Sequence, residues 1–217
     1  MNMAGGYRSK AIDVDSPQFP AEPENDGFNF AYGKEVSAIS TTSPTTPYTI
    51  RESGTIYGFN YGFGQRVLAT GGAAYSFGSY TSATGLISRS VGSNNLASGP
   101  VSDSFGADNI STDAFTNTQG YKNSATNKFA DARGHLNLAS GQFGLAVGQE
   151  NIAAGDFSYA IGQRNVAQGN LSYVFGYESS AIGRNSVSIG FKSLAQGTTS
   201  YAVGDQEVAT GNNSFAI

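Results

Sequence analysis

Large apolar and small side chains alternate in short bursts through most of this chain, and nearly every burst ends on glycine. Ser158-Tyr159-Ala160-Ile161-Gly162 and Ser200-Tyr201-Ala202-Val203-Gly204 carry the pattern most cleanly. Period-two alternation marks a strand whose two faces meet different surroundings. Between such bursts lies a second kind, as in Asn151-Ile152-Ala153-Ala154-Gly155 and Asn165-Val166-Ala167-Gln168-Gly169, where the residue before glycine is mostly small or polar. A spacing of seven excludes repeated helical turns, because each would hold a glycine at a cost of about 1 kcal/mol. Five extended residues and a two-residue turn fit it naturally.

The glycines keep this register from Gly64 to Gly211. Of 22 consecutive positions spaced by seven, 20 are glycine, and the exceptions are Asp113 and Asn127. Asp and Asn tolerate a left-handed backbone better than other non-glycine residues, so the row predicts a turn with positive φ at each step. Because the two kinds of burst alternate, the unit is 14 residues with two non-equivalent halves. About eleven such units fit the chain, each read as one coil of two short parallel-stacked strands.

The pleat assigns the side chains. Two residues before each glycine the side chain is almost always small, as at Ala146, Ala153, Ala160 and Ala167. Four before, it is Ser or Ala in one half and Asn in the other, at Asn95, Asn109, Asn123, Asn137, Asn151 and Asn165. If this face points inward, the coil closes over Ala, Ser and Asn, and the asparagines form a buried ladder from coil to coil. The large residues then point outward in a stripe too apolar for a soluble monomer. A thin roll of this kind is expected to oligomerise along its length.

The bursts at 158–162, 186–190 and 200–204, alternating with those at 151–155, 165–169 and 193–197, resemble the head repeat of YadA-like trimeric autotransporter adhesins. The resemblance is strong over residues 141–217 and degenerate but in register over 58–140. It implies an all-β, left-handed parallel β-roll and a homotrimer, with the apolar strand facing a threefold axis. The expected interface is Phe63, Tyr75, Phe77, Val91, Phe105, Leu145, Val147, Tyr159, Ile161, Tyr173, Phe175, Val187, Ile189, Tyr201, Val203 and Phe215. The stripe is interrupted by Arg89, Asp103, Asp131 and Arg133, with Asn117 and Gln119 between them. Arg89 and Asp103 lie one coil apart in one column and are expected to pair. A charge-paired section of the axis there would set the alignment of three chains.

Residues 58–217 are thus read as the roll and 27–57 as a displaced coil with a loop, since Gly27-Phe28-Asn29-Phe30-Ala31-Tyr32-Gly33 resembles residues 156–162. Residues 1–26, with Pro17, Pro20 and Pro23, read as an extended attachment arm with Tyr7, Ile12, Val14 and Phe19 as its apolar handles.

Composition narrows the setting. A net charge of −4 offers no basic patch for nucleic acid, and the absence of cysteine excludes disulfides and thiolate metal sites. No stretch reads as a signal peptide or a membrane span, and none as the C-terminal barrel of an autotransporter. The same repeat is similar to segments of bacteriophage fibres. A phage head or tail fibre on the virion exterior is therefore expected, its arm gripping another virion protein and its roll touching a host surface. The alternative is the head of a bacterial trimeric surface adhesin. The roll stopping at Ile217 suggests a longer natural chain.

Enzymatic chemistry finds little footing. Left-handed solenoids with a catalytic histidine have a period of six, not seven, so the single His135 reads as a solvated turn residue. No nucleophile–base pair, cofactor motif or metal spacing is present. The Thr/Ser column at 70, 84, 98, 112, 126 and 140 is similar to ice-binding arrays. Its neighbouring column mixes Leu, Ile and Ser, so a solvated face is the better reading.

Overall fold

A computed structural model describes residues 2–14, 28–41 and 59–217. They form strands and turns with no helix, as a parallel β-solenoid of about 11 turns spaced roughly 14 residues apart. The chain falls into two compact units, Met1–Ser102 and Asp103–Ile217. The boundary lies inside the stretch read from the sequence as one roll.

In the first unit one sheet holds Asn2–Gly5, Phe28–Lys34, Phe59–Gln65, Ala73–Ser79 and Ile87–Ser93 in that order. The other holds Lys10–Val14, Ser37–Thr41, Leu68–Gly71, Ser82–Ala83 and Leu96–Ala97. The expectation of an extended arm over residues 1–26 does not hold for residues 2–14. Asn2–Gly5 pairs with Asn29–Tyr32, and Lys10–Val14 pairs residue for residue with Ser37–Thr41. The reason is a coil pattern masked by small residues: Asn2, Ala4 and Gly6 occupy the positions of Asn29, Ala31 and Gly33. A Cβ on Gly6 would lie 2.1 Å from the Gly33 carbonyl oxygen, so only glycine lets these coils close together. Residues 28–41 stack in turn on the main register, with Gly33 opposite Gly64 and Ala38 opposite Ala69. Phe19 and residues 42–58, which take in most of the loop expected from the sequence, lie outside the described residues.

In the second unit five-residue strands such as Leu145–Gln149, Tyr159–Gln163 and Tyr173–Tyr177 form one parallel sheet. Two-residue strands such as Ile152–Ala153 and Val166–Ala167 form the other. Register is kept from coil to coil, with Ala146 opposite Ala160 and Gly148 opposite Gly162. Corners differ along the chain, and Val101 in the first unit already turns with φ 55°. Ala73 and Ile87 remain extended and paired, which lengthens their strands to seven residues. At the equivalent place in the second unit Phe115, Phe129 and Phe143 turn with φ between 56° and 60°.

The glycine row has two causes rather than one. Gly162 has φ +122°, and a Cβ there would stand 2.1 Å from the Gly176 oxygen. Gly155, in the other half of the coil, has no positive φ, yet a Cβ would stand equally close to the Gly169 oxygen. Close approach of backbones therefore explains both halves, and left-handed backbone only one. Asp113 and Asn127 stand in the half without positive φ, so the conformational reading of these exceptions is corrected. Their side chains instead accept the next backbone N–H, from Ala114 at 2.7 Å and Lys128 at 2.9 Å. In the second unit the left-handed corner sits two residues beyond each position of the row, on residues as varied as Arg164 and Leu171.

Small side chains fill the interior. Ala125, Ala132, Ala139, Ala146, Ala153, Ala160 and Ala167 are fully buried in one continuous cluster. With so little apolar volume inside, the polar ladder carries much of the interior order.

Candidate interaction surfaces

The interior asparagines are structural. Asn151 donates through Nδ2 to the Val147 oxygen at 2.9 Å, to the Gly162 oxygen at 2.8 Å and to Asn137 Oδ1 at 3.0 Å. Its own Oδ1 accepts the backbone N–H of Asn165 at 3.0 Å. The same pattern links Asn109, Asn123, Asn137, Asn151 and Asn165. It then passes to serine: the Ser179 hydroxyl donates to the Gly190 oxygen and Ser193 to the Gly204 oxygen. An amide can bridge three backbone groups that would otherwise be buried without partners, which is why Asn occupies the column.

The outward face of the longer-strand sheet holds every residue expected at a subunit interface, and none of them is buried within one chain. In the first unit Tyr61 stacks on Tyr75 with ring centroids 5.1 Å apart, beside the tilted pair of Phe63 and Phe77. In the second, Tyr159 stacks on Tyr173 at 5.1 Å. Ile161, Phe175, Ile189 and Val203 form the adjoining column.

In the earlier coils of the second unit the face is polar. Arg133 pairs with Asp131 on its own strand, donating through Nε to Oδ1 at 2.8 Å and more closely through Nη2 to Oδ2. Asn117 donates to the same Asp131 Oδ1 from the adjacent coil at 3.0 Å. The polar zone is thus hydrogen-bonded within the chain and remains on the outward face. Arg89 and Asp103 belong to different units.

The corner after the longer strands carries charge. Arg164 bridges Glu150 at 3.0 Å and Glu178 at 3.1 Å, and Lys192 lies 3.5 Å from Glu178. The Gln149 amide, and next the Arg164 guanidinium, hold the Glu150 carboxyl below the usual range. Tyr177, and next Arg164, do the same for Glu178. These pairs are exposed, so each contributes little to stability by itself.

The opposite corner carries a feature that the sequence reading missed. Phe115, Phe129, Phe143 and Phe157 stack face to face, with centroids 4.9, 4.6 and 4.8 Å apart and planes within 12°. Their signal lay in a column two residues past alternate positions of the glycine row (Asp113, Asn127, Gly141 and Gly155), where a 14-residue recurrence of Phe stands outside the strand pattern. His135 ends the strand Asp131–His135 and stacks on Tyr121 at 5.4 Å, half-buried rather than free in a turn. Among the described residues no group of three or more His, Cys, Asp or Glu side chains could hold a metal. Of the handles expected of an arm, Phe19 lies outside the described residues. Tyr7 is exposed beneath the Arg8 guanidinium at the first corner, and Ile12 and Val14 lie in a paired strand.

Residues 139–165, 167–193 and 195–217 match the family model of the YadA head domain repeat. No curated protein matches the chain.

Proposed function

This chain carries YadA-like head repeats, and on that premise we propose that it is the head of a homotrimeric surface adhesin. The YadA head family is trimeric, which supports three copies packed along the apolar stripe. One observation carries the reading: the interior is alanine, serine and asparagine, while Tyr159, Ile161, Tyr173 and Phe175 face outward and stay partly exposed. A chain that keeps its large apolar groups outside needs other chains to cover them. The repeated parallel solenoid and the match to a head repeat support a structural role over an enzymatic one. The comparisons favour the bacterial cell surface over the virion setting, since the matched family is an adhesin head.

The test is the mass of the purified chain by sedimentation equilibrium, with Ile161→Asp and Phe175→Asp as variants. A trimer that both substitutions dissociate without loss of β-sheet circular dichroism supports the reading. A monomeric parent chain overturns it.

A further inference from the structure

We propose that the phenylalanine ladder Phe115–Phe129–Phe143–Phe157 is a subunit contact that packs on a neighbouring copy of this chain. The inference rests on the homotrimer reading and adds a surface that the apolar stripe does not include. The four rings are 52%, 43%, 36% and 44% exposed. With about 200 Å² on each ring, they leave on the order of 350 Å² uncovered, as much as the largest apolar patch on a typical monomer. Their faces are already spent on one another, so the free surface is a row of ring edges suited to a flat, extended apolar partner.

What covers that row is indicated coil by coil. Phe115 precedes Asn117 and Gln119 on the outward face, and Phe129 precedes Asp131 and Arg133. The ladder therefore starts in the coils whose sheet face has lost its apolar residues. It continues through Phe143 and Phe157, where Leu145, Val147, Tyr159 and Ile161 restore the stripe. The column then holds Leu171, beside Tyr173 and Phe175 on the face, and becomes Asn185, Thr199 and Asn213 where the face holds Val187, Ile189, Tyr201 and Val203. Corner and face exchange apolar character along the unit. A single neighbour running alongside would need that exchange to keep continuous contact past a polar stretch.

The backbone points the same way. All four phenylalanines hold φ between 55° and 60°, a region costly for a bulky residue and easy for asparagine, which the column uses elsewhere. Around a threefold axis the contact is heterologous: the ladder of one protomer meets a different surface of the next.

The test uses the full chain with Phe129→Asn and Phe143→Asn together. Asparagine suits the left-handed corner, so circular dichroism of the variant should match the parent. Sedimentation should then show the trimer dissociating at protein concentrations at least tenfold higher than the parent does. In a second measurement, Phe143→p-benzoylphenylalanine should photo-crosslink to another copy of the chain. An undiminished trimer with no crosslink overturns the inference and leaves the trimer reading intact. An undiminished trimer whose double variant loses cell-surface binding also overturns it, since the ladder would then serve a receptor. A parent chain that is not a trimer overturns both.

Discussion

The backbone N–H and the side-chain amide of Asn151 both donate to Oδ1 of Asn137, each at 3.0 Å, from one coil to the next. One oxygen thus closes two donors, and the Asn151 amide also bridges the carbonyls of Val147 and Gly162. Asn151→Ala would bury these groups without partners. A loss of about 2–4 kcal/mol is expected, because each unsatisfied buried group costs about 1–3 kcal/mol. Asn151→Ser should cost about half as much, since Ser179 and Ser193 already serve the same column. Chemical denaturation of the two variants against the parent checks both magnitudes and their order.

Gly155 separates close packing from backbone conformation. Its φ is not left-handed, so a conformational account predicts little penalty for alanine. A Cβ 2.1 Å from the Gly169 oxygen predicts a large one, about 3 kcal/mol or more, because the coils must move apart. Gly155→Asn should be milder than Gly155→Ala by about 1 kcal/mol, since its amide can accept the next N–H as Asn127 does. Thermal melting of the pair decides the order.

The acidic corner sets a pH dependence. Glu150 and Glu178 are held below their ordinary range in the folded chain. Folding is therefore favoured while pH stays above their unfolded value of about 4.3. That contribution declines as pH falls from there through the depressed folded values. Glu35, held down by Arg66, acts in the same direction. Melting temperature measured from pH 6 to pH 3 should fall in the acid range. Arg164→Gln should flatten that fall, and high salt should flatten it further because the groups are exposed.

The polar stretch at Asp131 and Arg133 should trade stability for alignment. Replacing both, as Asp131→Leu with Arg133→Val, continues the apolar stripe and should raise the melting temperature of the assembly by several degrees. The same change should loosen the relative register of the chains. Because the parent has no cysteine, Gln119→Cys reports register through disulfide cross-linking between equivalent positions. Crosslinking that is efficient in the native background and weaker in the double variant is the expected result.

The period, the inward alanines and the asparagine ladder were legible in the sequence, because each follows from pleat and repetition alone. The first coil was not. Met3, Gly5 and Tyr7 replace the residues that make later coils conspicuous, and the prolines at 17, 20 and 23 drew the reading toward an arm. Only the 27-residue offset between Asn2-Met3-Ala4-Gly5-Gly6 and Asn29-Phe30-Ala31-Tyr32-Gly33 marks it. The cause of the glycine row was half legible. Composition suggests left-handed turns, whereas the collision of a Cβ with the next coil exists only once coils are stacked. The phenylalanine ladder was missed for a related reason: a bulky residue at positive φ contradicts local preference, so nothing local announces it.

The stacking of coils has a kinetic consequence. Parallel sheets ordinarily fold slowly, because their strands must find partners far away in the chain. Throughout the second unit each strand pairs with one only 14 residues along, as Tyr159 does with Tyr173. Against a chain of 217 residues, that separation gives a relative contact order of about 0.06, as low as that of the most local helical bundles. Once one coil exists, the next has only a short loop to close before its amides meet a waiting edge. A parallel β-structure built this way can extend itself one coil at a time, as a zipper does.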